Sequence, residues 1–371
     1  MAWPEGFWWG TAASALQCEG AASASDWATW EAEGWVPRSR DGNGFLSRYE
    51  DDLRLVADHG FTHHRLTIEW ARVEPDDGRH DNDAVVHYRD VLRSGRDAGL
   101  AMWVCLHHLT LPRWFTDDLR GFRDDKAGRY RWSAHVDFCA EAFGDLVAGW
   151  QPMEAPARYA LEGFLFGRIP PGRHDAREFP AVLGTVQKAN ADAARLLRGG
   201  DVPVATSHWL APLRPTHDRA DTVLWDSWAD PELVEPFDVL GITVNTAVTV
   251  EDSTDESGPR FILIGDPEPS PEAMEEAAGE VIGRVAEQHP DRPIVVRGSE
   301  LAVDDDDRRV ANVRAILGAL DDAIEAGADV RGYLHWTAVD GYELDGGFET
   351  TRGLWDRDRN PRASADVLPP S

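Results

Sequence analysis

Lysine is nearly missing from this chain: of 37 basic residues only Lys126 and Lys188 are lysine, and the rest are arginine. Basic charge as a whole is scarce, because 41 Asp and 25 Glu leave the 371 residues with a formal net charge of −29. A surface that negative repels phosphate backbones and anionic headgroups, so nucleic acid and membrane are not expected as partners. The bias fits either a GC-rich genome or a salt-adapted host, and the sequence does not separate the two. Cysteine is sparse as well. Cys18, Cys105 and Cys139 are odd in number, widely spaced and without a CxxC pair, which argues against a disulfide framework or a zinc knuckle and fits a reduced cytoplasm. No run approaches 18 apolar residues, and the opening Met-Ala-Trp-Pro-Glu-Gly has neither a basic nor an apolar signal region. The expectation is a cytoplasmic protein with no membrane span and no export signal.

Apolar residues are not scarce. They make up 42% of the chain and include 16 Trp, enough for a large core. Short apolar runs alternate with amphipathic stretches from end to end, and no Pro/Gly/Ser-rich linker divides them, so residues 1–371 read as one domain. The expected strands are Trp8–Thr11, His64–Ile68, Ala101–His107, Trp150–Met153, Val202–Ser207, Val239–Val244, Ile294–Arg297 and Gly332–Trp336. Between the last two, Val310, Val313, Leu317, Leu320 and Ile324 recur on one helical face. Eight strands alternating with helices predict an α/β fold, a single (β/α)8 TIM barrel. Periodicity alone leaves a doubly wound sheet open, although no GxGxxG follows the first strand. The polar stretch Glu251–Pro271 reads as a surface excursion, and the tail from about Asp358 as irregular.

In such a barrel the functional groups sit where strands end and the following loops begin. That rule selects Gln17 and Glu19 after the first strand, Arg65 on the second, His107 and His108 at the third, and Glu154 at the fourth. It also selects Glu300 after the seventh, Trp336 at the eighth and Glu343 beyond it. Indole faces together with amide, imidazole and carboxylate groups suit a polyol: the ring stacks on the apolar side of a sugar and the polar groups meet its hydroxyls. His63-His64 is not a metal pair, because adjacent strand residues face opposite ways and no third ligand is set by spacing. No cofactor or metal is expected. Asp304–Asp307 precedes a helical pattern and should cap it.

The motifs resemble family 1 glycoside hydrolases, the β-glucosidase family. FWWGTAASALQCEGA at 7–21 is similar to that family's N-terminal signature, RLTIEWARVEP at 65–75 to its second-strand motif and LHHLTLPRWF at 106–115 to its third. FGDLVAGW at 143–150 with Pro156, Gly163 and PPG at 170–172 keeps the fourth-strand spacing, and PIVV at 293–296 and HWTAVDGYEL at 335–344 resemble the seventh and eighth. The resemblance implies retaining hydrolysis of β-glycosides by two glutamates, an acid/base and a nucleophile, about 5–5.5 Å apart.

Both of those positions are changed here. The family's Asn-Glu-Pro falls on Glu154-Ala155-Pro156, and its Thr-Glu-Asn-Gly on Arg297-Gly298-Ser299-Glu300, so Ala155 and Gly298 stand where the resemblance puts the two glutamates. The sixth-strand Asn-Tyr-Tyr corresponds to Thr243-Val244-Asn245, and a second eighth-strand Trp to Leu344. By contrast Gln17, His108, Trp336 and Glu343 match sugar-binding positions, and Arg65 matches the Arg beside the nucleophile. The resemblance therefore implies recognition of a glycoside or sugar-like small molecule through Gln17, Arg65, His108, Asn245, Trp336 and Glu343. Glu154 and Glu300 are the candidates for relocated catalytic carboxylates. Arg65 must find a new counter-charge, from Glu154, Glu300 or an anionic ligand, whereas strand alternation points Arg297 towards the helix layer. Three functions fit: altered glycosidase chemistry, a non-catalytic sugar-binding pseudoglycosidase, or a non-hydrolytic isomerase, lyase or cyclase.

Overall fold

A computed structural model describes residues 3–215, 231–255, 258–265, 269–298, 305–344 and 346–369. Eight strands make one sheet: β1 (Trp8–Ala12), β2 (His63–Thr67), β3 (Ala101–His107), β4 (Gly149–Met153), β5 (His208–Leu210), β6 (Leu240–Val244), β7 (Ile294–Arg297) and β8 (Val330–Trp336). Neighbours run β4-β3-β2-β1-β8-β7-β6-β5, and every pairing is parallel. The two ends of that order are joined where Trp150 N donates to Pro203 O at 2.9 Å and Ala205 N to Trp150 O at 2.8 Å. The sheet thus curls round on itself as a (β/α)8 barrel, the expected fold class.

Long helices cover the outside, among them Phe45–Asp58, Asn82–Asp97, Asp125–Phe143, Phe179–Leu197, Pro271–Gln288 and Asp306–Glu325. Their starts are fixed chemically: side chains of Asp81, Asp124, Ser270 and Asp305 accept backbone N–H bonds from the first turn. Asp305, Asp306 and Asp307 are the described part of the acidic run expected to cap a helix, and Asp306 also pairs with Arg309 at 2.6 Å. Val313, Leu317 and Leu320 are buried as the periodicity requires, while Val310 and Ile324 are only half-buried at the edge of the stripe.

The barrel's interior carries its own apolar cluster of Trp103, Ala205, Val239 and Val295, with Trp8 and Leu334 packed against it. Two indoles inside so narrow a ring need bare backbone beside them. A β-carbon on Gly149 would stand 2.5 Å from the Trp103 ring, and one on Gly332 would stand 2.7 Å from Trp8 Cβ.

Three expectations are corrected. The fifth strand was placed at Val202–Ser207, but there the chain makes only the single bridges Trp150↔Val204 and Ala205↔Val239, and the regular ladder begins at His208. Between them the Thr206 hydroxyl accepts the Gly241 N–H at 3.1 Å, which interrupts the ladder just before His208. The stretch read as a surface excursion belongs to a three-stranded sheet, in which Val248–Asp255 pairs antiparallel with Gly258–Gly265 and Leu213–Pro215 lies parallel beside the first. The tail is ordered, too: Ala363–Val367 forms a 3-10 turn whose Ser364 donates both N–H and hydroxyl to Asp306, and Ala365 and Leu368 are buried.

Candidate functional site

At the C-terminal end of the strands lies a cleft of about 670 Å³ lined by Gln17, Trp30, Trp35, His108, Trp336, Glu343 and Arg352, with Arg158, Glu162 and Arg168 on the segments after β4. Four sequence-selected residues therefore meet in one cavity. They come from widely separated parts of the chain, and the barrel brings them together because each follows a strand of the same ring. Ser14 Oγ donates to Gln17 Oε1 at 2.7 Å, and Gln17 Nε2 donates to Glu343 Oε2 at 2.9 Å. Arg352 Nε stands 3.1 Å from the same carboxylate oxygen. This row fixes the amide and the carboxylate before any ligand arrives. Beside it, the His108 and Trp336 rings lie 5.4 Å apart, tilted by 58°.

Glu154 does not open into that cleft. Its side chain is 1% exposed and held from all sides: Arg65 at 2.5 Å and Gln151 Nε2 at 2.9 Å on Oε2, Arg297 and the Ser207 hydroxyl, both at 2.8 Å, on Oε1. Burial pushes the carboxyl up, but Arg297, then Arg65, and the Gln151 and Ser207 bonds outweigh it and hold it below its ordinary value. A carboxylate so placed is a poor proton donor and has no unshared face towards a substrate. Arg65 has found its counter-charge in Glu154, one of the three candidates named for it, and it lines a cavity of about 40 Å³ beneath the cleft rather than the cleft itself.

Arg297 corrects the sequence reading. It faces the barrel interior, not the helix layer: it lines the same small cavity, donates from Nε to Thr243 Oγ1 at 2.8 Å, and places its guanidinium 4.7 Å from the centre of the Trp336 ring. Plain alternation along β7, whose register with β6 is unbroken from Ile294 to Arg297, puts Val295 and Arg297 inward. Gly298 accordingly faces out. A β-carbon there would stand 2.4 Å from the hydroxyl oxygen of buried Tyr333, which shares a hydrogen bond with His335 Nδ1 at 3.1 Å. Ala155 is buried in a left-handed conformation with φ 42°, its N–H bonded to Ser207 O at 3.0 Å. Glu300 lies outside the described residues.

Other candidates are dispersed. Asn245, half-buried after β6, gives its backbone N–H to Leu210 O at 2.9 Å and is not among the described residues lining the cleft. Glu19 points away into a buried group, with Tyr88 Oη at 2.8 Å and Arg72 Nε at 3.1 Å, and burial, opposed by Arg72, raises its carboxyl to about 7. His107 packs edge-on to Trp132, Phe122 and Tyr159, and burial lowers its pKa to about 3. His64 meets Thr11 Oγ1 at 2.8 Å, and among the described residues no group of three metal-ligating side chains assembles. No helix among them is long and apolar enough to cross a membrane. Sequence reasoning missed Arg352, Gln151, Ser207 and Trp35. The strand-end rule could have pointed to Ser207, which closes the run Val202–Ser207 read as the fifth strand; Gln151 sits in the middle of β4, and nothing local marks it, Arg352 or Trp35.

Comparison with known proteins agrees with this fold. "Beta-glucosidase 4" of Oryza sativa subsp. japonica is 24% identical over 452 aligned residues, covering 98% of this chain and 93% of the relative. "Cyanidin 3-O-glucoside 7-O-glucosyltransferase (acyl-glucose)" of Delphinium grandiflorum is 23% identical, covering 99% and 88%. Among solved structures, a beta-glycosidase from Pyrococcus horikoshii superposes with a TM-score of 0.85 at 26% identity, covering 98% of this chain and 93% of that one. The apo structure of a beta-glucosidase designated 1317 does so with a TM-score of 0.78 at 29% identity, covering 98% and 97%. The family model for glycosyl hydrolase family 1 matches residues 1–224 and 281–366, most of the chain, and with that match the protein belongs to glycosyl hydrolase family 1.

Proposed function

We propose that this protein recognises a glycoside or sugar-like small molecule in the cleft, and that it does not cleave it by the family's two-carboxylate retaining route. The first half is supported by the prepared row Gln17–Glu343–Arg352 beside His108 and Trp336, and by relatives whose names denote glucosidases and a glucosyltransferase. The second half rests on one observation above all: Glu154, the carboxylate nearest the position of the family's acid/base, is clamped between Arg65 and Arg297. Retaining hydrolysis needs one carboxyl that gives up a proton and a second that attacks, with negative charge facing an oxocarbenium-like centre. Here two guanidinium groups share one carboxylate beneath Trp336, an arrangement that disfavours positive charge at that point.

The test is mass-spectrometric turnover of a panel of β-glycosides by pure protein, with ligand-induced thermal shifts recorded in parallel. Shifts without cleavage are the expected outcome. Sustained cleavage that survives exhaustive purification and releases the sugar with its anomeric configuration retained would overturn the second half, and the absence of any shift across the panel would overturn the recognition half.

A further inference from the structure

Glu343 and Arg352, which line the cleft, lie on the chain after β8, where the described residues between 337 and 355 form neither helix nor strand. Backbone without a ladder must find its acceptors elsewhere. Asp340 supplies them: its Oδ1 accepts from Arg352 N at 3.0 Å and from Gly353 N at 2.7 Å. That carboxylate is buried, and its other oxygen pairs with Arg362 of the C-terminal tail. Arg362 also donates from Nη1 to Gly353 O at 2.9 Å, so one guanidinium holds Gly353 directly and Arg352 through Asp340. The fit is close, since a β-carbon on Gly353 would stand 2.4 Å from Asp340 N.

The tail can serve as an anchor because it is itself tied to the outer helices. Arg359 pairs with Asp52 of the helix Phe45–Asp58, through Nε at 2.8 Å and Nη2 at 2.6 Å, and Ser364 donates both N–H and hydroxyl to Asp306 at the start of Asp306–Glu325. From that second helix Arg309 adds a further tether, donating to Thr351 Oγ1 at 3.1 Å. The segment Thr351–Gly353 is thus suspended from the helix layer, and it delivers Arg352 Nε to 3.1 Å from the Glu343 oxygen that Gln17 Nε2 also reaches. Arg362 itself does not line the cleft. We propose that Arg362 is a positioning residue for ligand recognition: without touching the ligand it fixes Arg352 through Asp340, and so sets where Glu343 and Gln17 present their polar atoms. This rests on the glycoside reading above and adds a residue that controls the site from outside it.

Calorimetric titration with methyl β-glucoside and methyl β-galactoside tests it on wild type, Arg362→Ala, Arg362→Lys, Arg352→Ala and the double variant that combines Arg352→Ala with Arg362→Ala. Wild type is expected to bind at least one of the two sugars, and Arg362→Ala to bind it about tenfold more weakly. Arg362→Lys keeps the charge opposite Asp340 and should come within about threefold of wild type. In the Arg352→Ala background, Arg362→Ala should cost no further affinity, because the route is already cut. Should Arg362→Ala not fold, as read by circular dichroism, Arg362→Gln keeps a donor without the charge and carries the same comparison. Unchanged affinity in Arg362→Ala with a lowered melting temperature, or no recovery in Arg362→Lys, would overturn the proposal and leave the glycoside reading standing. Losses that multiply in the double variant would overturn the route through Arg352. If wild type binds neither sugar, the glycoside reading fails and the positioning role fails with it.

Discussion

At the scale of single residues, Glu154 is a carboxylate shared by two arginines. Arg65 and Arg297 both pair with it, all three are almost fully buried, and the guanidinium of Arg297 also rests on Trp336. Replacing it by Gln keeps the size and removes the charge, so that two buried guanidinium groups lose the counter-charge they share. Glu154→Gln is therefore expected to lower unfolding free energy by about 3–5 kcal/mol at pH 7, read from urea denaturation. The pH dependence has a definite sign. Because the folded carboxyl lies below its ordinary value, its contribution is complete above the unfolded glutamate pKa of about 4.3 and is lost as pH falls through the folded value. The gap between wild type and Glu154→Gln should accordingly close on acidification. A gap below about 1 kcal/mol at neutral pH would show that the guanidinium groups are satisfied without this carboxylate.

At the scale of an element, the helix Asp26–Glu33 bears on the cleft through Trp30 and is anchored at its first residue. Ser25 caps it by accepting from Ala28 N at 3.2 Å, and Asp26 Oδ1 accepts from Trp27 N at 2.8 Å and from Leu111 N at 3.1 Å, tying the helix to the loop after β3. Burial, reinforced by Glu69 and Asp117 and opposed by the two N–H bonds, raises the Asp26 carboxyl to about 8. A carboxyl raised on folding favours the folded state only while protonated, so its contribution falls as pH rises from about 4 to about 8 and does not return above that. Asp26→Asn keeps an acceptor for both N–H groups and cannot ionise. Its urea midpoint should gain on wild type steadily across that window and stay ahead at pH 9. Parallel curves for the two proteins would mean that Asp26 does not titrate there. Since Trp27, Trp30 and Trp35 continue from this helix start, the same measurement reports on the anchoring of the outer wall.

At the scale of the whole molecule the dominant fact is the net charge of −29. Many surface arginines are paired with acids, as in the two-pronged contact of Arg89 with Asp145 at 2.7 Å for each prong, but 37 basic residues cannot neutralise 66 acidic ones. The remainder repels itself. Raising ionic strength from about 0.01 M to 0.15 M shortens the screening length from about 30 Å to about 8 Å and relieves long-range repulsion more than it weakens contact pairs. The thermal midpoint is thus expected to rise with salt over that range. A falling midpoint would mean that local ion pairs outweigh the surplus charge.

Much of the architecture was legible in the sequence because it depends on short-range pattern. β3 and β7 begin and end where the apolar runs do, and the capping of Asp306–Glu325 follows from acidic residues directly before it. The fifth strand was misplaced because a side-chain hydroxyl, here that of Thr206, can take a ladder N–H without any sign in the hydropathy. The row Gln17, His108, Trp336 and Glu343 could be selected from strand ends, since a parallel barrel delivers all such ends to one face. What the sequence could not decide was direction and pairing. Whether Arg297 or Gly298 faces inward depends on which phase of the alternation along β7 meets the barrel interior, and a shift of one residue would reverse every side chain. That Glu154 answers two arginines is a matter of contacts between segments far apart in the chain. Composition and motif determined the fold, the acidity and four residues of one cleft; only the tertiary structure decided which charges meet beneath it, because burial and partner are properties of the closed barrel and not of any strand.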